Sequence, residues 1–94
     1  MSATHSVTAN ITGIGRFLPE HVLTNADLEK IVDTNDEWIR TRTGIQERRI
    51  LKEEGKATAH MASEAAHEAL KSAGRAPTDV EAIVVATITP DYMF

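Results

Sequence analysis

The sequence predicts a layered α/β protein. Ala59, Ala62, Ala66, Ala69 and Ala73 recur at offsets of three and four, so they mark one stripe of a helix. A helix with so little bulk on its stripe cannot build a core alone and needs a surface that comes close to it. The apolar run from Ala82 to Ala86 is strand-sized and unbroken, as expected of an inner strand covered on both faces. Near the start, Val7, Ala9, Ile11 and Gly13 alternate with their neighbours at the period of a strand.

Taken in order, a first strand is expected from about Val7 to Gly15, ended by Pro19. Gly13 and Gly15 allow a bulge or a close backbone approach. They do not make a dinucleotide fingerprint, because position 18 is Leu and Pro19 blocks a helix there. Thr24 with Asp27 three residues on reads as a capped helix start. That helix is expected to reach about Val32 and to bury Leu28, Ile31 and Val32. Thr34 followed by Glu37 repeats the signal and predicts a second helix over about Asn35 to Thr43, with Thr34 as its cap. Asp36 and Glu37 suit the positive end of that helix, and Gly44 suits its stop. Ile45 to Leu51 is expected to form a short strand or ribbon, and Lys52 to Lys56 a charged loop. The Ala-striped helix spans residues 58–73 and ends at Gly74. Pro77-Thr78-Asp79 turns the chain into the last strand, Glu81 to Thr89.

Composition narrows the classes of function. The formal charge is −4, and no basic stripe is present to neutralise phosphates along a nucleic acid. There is no cysteine, so these residues hold no disulfide, no thiolate metal site and no thiol nucleophile. No run approaches the ~20 apolar residues of a membrane span, and the polar first ten residues lack the apolar stretch of a signal peptide. A cytoplasmic protein is the expectation. Glu64 and His67 have a di-iron spacing, but no second pair accompanies them, so they and His60 read as polar residues of a helix surface. Asp33, Asp36 and Glu37 are explained by capping.

Residues Asp33 to Arg49 are the most informative stretch. They contain the only Trp, Trp38, and place Arg42, Arg48 and Arg49 near it in sequence. Trp offers a flat face to a flat ligand, and Arg offers a fork of donors to phosphate. Trp38 and Arg42 stand at i and i+4, on one helix face. A plate beside guanidinium groups suits a nucleotide-bearing ligand such as coenzyme A. The same residues also suit a Trp anchoring a small core beside a solvated basic helix face, and on residue chemistry alone that reading leads.

The order of residues resembles a known family. D-T-N-D-E-W-I-x-x-R-T-G-I-x-E-R-R (residues 33–49) is similar to the N-terminal signature of the β-ketoacyl-acyl-carrier-protein synthase III family. I-T-G-I-G-R-F-L-P-E-H-V-L-T-N-A-D-L (residues 11–28) resembles that family's first strand and following loop, and V-E-A-I-V-V-A-T-I-T-P-D-Y-M-F (residues 80–94) its next long strand and turn. The resemblance covers nearly all of residues 9–94. It implies the N-terminal portion of a thiolase-like fold, incomplete in this chain, with residues 1–94 the first part of the N-terminal half and no complete domain boundary. The apolar Tyr92-Met93-Phe94 cluster after a turn adds to the expectation of a fragment.

The resemblance implies a decarboxylating condensation of an acyl-coenzyme A primer with malonyl-acyl-carrier protein, using coenzyme A thioester as substrate and no cofactor or metal. It implies that the nucleophilic Cys, and the His and Asn that act with it, lie beyond residue 94. By position, Trp38 matches the residue that stacks on the adenine of coenzyme A, Arg42 the one near its phosphates, and Thr34 one that hydrogen-bonds the adenine edge. Phe94 matches a residue that reaches across a homodimer interface to line the partner's acyl pocket. Gln46 departs from the family, where a basic residue is common. Alternatives remain a related thiolase-fold condensing enzyme of secondary metabolism and a non-catalytic binding or assembly module. The 94 residues alone are expected to be inactive and to require the remainder of the polypeptide, or a complementary chain, against residues 58–89.

Overall fold

The computed structural model describes residues 6–92. The elements run β1 (His21–Thr24), α1 (Asn25–Glu29), α2 (Asp36–Thr43), β2 (Glu47–Ile50), α3 (Thr58–Ala73) and a 3-10 turn over Pro77–Asp79. β1 and β2 form an antiparallel ribbon in which His21 faces Ile50 and Thr24 faces Glu47.

The local signals act largely as their chemistry requires. The Thr24 hydroxyl accepts from the Asp27 N–H at 3.1 Å, and the Asp27 carboxylate accepts from the Thr24 N–H at 3.0 Å, closing the expected capping box. Gly44 and Gly74 end α2 and α3 with φ of 75° and 68°, the left-handed conformation that glycine adopts without a Cβ penalty. α3 starts and stops where the alanine stripe places it.

Three expectations are corrected. α1 ends at Glu29, not near Val32, and Ile31 and Val32 are 69% and 53% exposed. The cap of α2 is Asn35, whose side chain accepts from the Trp38 N–H at 2.8 Å; Thr34 stands one residue outside. Neither Val7–Gly15 nor Glu81–Thr89 is a strand. A strand needs a neighbour for its N–H and C=O groups, and the only paired strands among the described residues are β1 and β2. Ile83, Val84 and Ile88, expected to be buried on an inner strand, are 80%, 94% and 99% exposed.

The segment before β1 nevertheless supplies the close surface that α3 needs. It runs extended, with Gly13, Gly15, Phe17 and Pro19 turned inward and Ile14 and Leu18 outward. A Cβ on Gly13 would lie 2.5 Å from the Ala69 carbonyl and 2.8 Å from the Ala73 Cβ, so glycine there permits the approach. His60 meets the Phe17 ring edge-on, with centroids 5.4 Å apart. The other side of α3, with Ala62, Ala66 and Leu70, faces Ile83 and Val85 across a cleft of about 630 Å³.

The N-terminus of α3 is capped from a distance. Asp91 accepts from the Ala59 N–H at 3.2 Å through both carboxylate oxygens, and the Thr58 hydroxyl donates to the Thr89 carbonyl at 2.9 Å. Ala57, the residue at the cap position, has no side-chain oxygen for this task.

Candidate nucleotide-binding site on the second helix

α2 presents the sequence-derived site. Its apolar side turns Ile39 inward, the one buried hydrophobic residue among those described, at 8% exposure. Trp38, about a quarter turn round the helix from Ile39, is 53% exposed. The Arg42 guanidinium carbon lies 5.3 Å from the Trp38 ring centroid. That is within cation–π reach, so one turn of helix delivers the expected pair as a single stacked unit. An indole that keeps half its surface in water beside a stacked cation is poorly explained as a core anchor.

The remaining site residues separate. Thr34 is half-buried just ahead of the α2 cap, and its N–H donates to the Val32 carbonyl at 2.9 Å. Phe94 lies outside the described residues. Arg48 and Arg49 do not join Trp38. Arg48 donates to the Asn25 side-chain oxygen at 3.0 Å, and Arg49 donates to the Pro19 carbonyl at 2.9 Å. Arg40 reaches back one turn to Asp36 at 3.4 Å. One guanidinium, that of Arg42, stacks on the plate, while Arg48 and Arg49 serve the ribbon and Arg40 the first turn of α2.

The residue that sequence reading missed is Asn25. It is 2% exposed, the most buried side chain described, and both polar atoms of its side chain are engaged. Its amide nitrogen donates to Asp36 at 2.8 Å and to the Ile45 carbonyl at 2.8 Å, and its oxygen accepts from Arg48. Its backbone N–H donates to the Gln46 carbonyl at 3.1 Å. The amide orientation is fixed by its partners, since a guanidinium has no acceptor and a carboxylate no donor. The Asn25 hydrogen bond, aided by Arg40, holds the Asp36 carboxyl below the ordinary aspartate value, against a smaller opposing effect of burial. In sequence, Asn25 shows only as the first residue after a cap. Nothing local distinguishes it from a solvated helix start.

Among the described residues there is no cluster of His, Asp and Glu able to hold a metal ion, and no helix long and apolar enough to cross a membrane.

No family model matches the chain. Among curated proteins, β-ketoacyl-acyl-carrier-protein synthase III of Phocaeicola vulgatus is 51% identical over 88 residues, which is 94% of this chain and 26% of that protein. Among solved structures, the synthase III of Thermus thermophilus matches 92% of this chain and 26% of its own, with a TM-score of 0.76 and 45% identity. The priming β-ketosynthase of the R1128 polyketide pathway matches 85% of this chain and 25% of its own, with a TM-score of 0.68 and 30% identity. The chain thus spans about a quarter of the length of the relatives it matches.

Proposed function

The chain belongs to the β-ketoacyl-acyl-carrier-protein synthase III family, and on that premise we propose that it forms the coenzyme A entrance of a condensing enzyme that starts fatty-acid synthesis. In the reaction proposed, a cysteine thiolate takes the acyl group from acyl-coenzyme A and releases coenzyme A. Malonyl-acyl-carrier protein then loses carbon dioxide. Its carbanion attacks the acyl-cysteine thioester, giving 3-oxoacyl-carrier protein and the free thiolate. The chain contains no Cys, so the nucleophile belongs to residues outside these 94, and this chain's share of the work is substrate binding.

The observation that carries the reading is the Arg42 guanidinium over the half-exposed Trp38 ring. About half of the Trp38 surface is exposed beside Arg42, and it offers adenine a flat face to stack on. The same guanidinium then stands beside the ligand, where its donors suit a phosphate. Thr34, just ahead of this helix, is assigned to the adenine edge, and Phe94 to the acyl pocket of a dimer partner. The polyketide-priming alternative is favoured less, because its representative shares 30% identity against 45% for the Thermus enzyme.

Trp38→Ala in the full-length protein tests the reading. Loss of a base–aromatic stack is worth ~1–3 kcal/mol, so the KM for acyl-coenzyme A is expected to rise about fivefold or more. The KM for malonyl-acyl-carrier protein should move less. Equal changes in both would reduce Trp38 to a structural role.

A further inference from the structure

We propose that Asn25 is the positioning residue of the Trp38–Arg42 platform: its single amide nitrogen ties both ends of α2 to the ribbon. The nitrogen bonds Asp36, the first residue of α2, and the carbonyl of Ile45, the residue after the Gly44 stop. The amide oxygen is held by Arg48 of β2, and the Asn25 N–H by the Gln46 carbonyl. Helix start, helix end and ribbon therefore meet on one side chain that water does not reach.

The geometry makes this a matter of position rather than of stability alone. α2 is eight residues long and buries only Ile39, too little apolar contact to fix how the helix rolls or slides on the ribbon. Directional hydrogen bonds at both ends fix what packing leaves free. Glu29 adds a second hold on the helix start, accepting from the Asp36 N–H at 2.7 Å, but it is exposed and touches one end only. A ligand stacked on Trp38 and paired with Arg42 senses any roll of α2, because both groups project from one face. The link to coenzyme A rests on the function proposed above. The clamp itself does not.

Asn25→Asp separates the two halves of the clamp. The new carboxylate still accepts from Arg48, so the ribbon side is kept. It cannot donate to Asp36 or Ile45, so the α2 side is cut. In the full-length protein, hydrogen exchange of peptides spanning α2 is expected to speed up about tenfold or more while α3 is unchanged. The Kd for coenzyme A, measured by calorimetry, is expected to rise about tenfold, as for a displaced binding group. Unchanged exchange in α2, or exchange raised equally everywhere with the Kd preserved, overturns the positioning role. If α2 loosens but neither Asn25→Asp nor Trp38→Ala alters the Kd, the clamp stands and the coenzyme A assignment of this face is overturned. Should Asn25→Asp fail to fold, Asp36→Ala removes one of the two amide contacts from the surface side. It should then loosen the first turn of α2, and unaltered exchange there overturns the proposal.

Discussion

The Asn25–Asp36 hydrogen bond depends on the charge of the carboxylate, as does the Thr24–Asp27 box. The Thr24 backbone and side-chain hydrogen bonds hold Asp27 below its ordinary value, and the Asn25 amide does the same for Asp36. With both folded-state values lowered, the unfolded chain binds more protons in acid. The stabilisation is therefore complete above the ordinary aspartate value of 3.8 and is lost as pH falls through the lower folded values. Thermal melts of the full-length protein from about pH 6 to about pH 2 should show this acid limb, and Asp36→Asn should make it shallower, leaving the share that Asp27 contributes. The amide oxygen at position 36 can still accept from Asn25, yet it does not titrate. An acid limb equally steep in the variant would place the titration elsewhere.

At the scale of elements, α3 depends on two contacts distant in sequence. A Cβ on Gly15 would overlap the Ala65 carbonyl and the Ala69 N–H, which are helix backbone and cannot swing aside. Gly15→Ala should thus force the extended segment off α3 at a cost of ~1–3 kcal/mol, read as a lowered denaturation midpoint of the full-length protein. A neutral effect would mean the segment is not seated on the alanine stripe. At the other end of α3, Asp91 caps the Ala59 N–H in place of a local side chain. Asp91→Ala is expected to cost ~1 kcal/mol, with faster exchange confined to the first turn of α3. The Glu53–Lys56 pair, at 2.6 Å on the loop surface, should contribute little when removed, since solvent screens it.

At the scale of the molecule, the described chain is extended and thinly packed. Its radius of gyration is 19.0 Å, whereas a compact domain of this length would have ~12 Å. Ile83, Val84, Val85 and Ile88 stand in solvent beside an open apolar cleft. Such a surface and such unpaired extended backbone favour association. The 94 residues by themselves are therefore expected to aggregate or to melt without a cooperative transition. Lacking a Cys, they should also give no condensation product from radiolabelled acetyl-coenzyme A and malonyl-acyl-carrier protein. A monomer with a sharp urea transition, or turnover by the isolated chain, would refute the respective half of this expectation.

The sequence alone determined what depends on neighbours a few residues apart. The Thr24 box, the Gly44 and Gly74 stops, the span of α3 and the i, i+4 stack of Trp38 on Arg42 all arise within one or two turns of chain. The family resemblance, too, was carried by short ordered blocks. Only the tertiary structure decided which residue is buried, which arginine binds backbone rather than facing Trp38, and which carboxylate caps α3. Asn25 meets Arg48 across 23 residues and Asp91 meets Ala59 across 32, so no local pattern could announce either contact. It also decided the fate of the two apolar segments. An alternating or unbroken apolar run states that a stretch suits a sheet, but pairing is a property of two strands, and Val7–Gly15 and Glu81–Thr89 have none among the described residues to pair with.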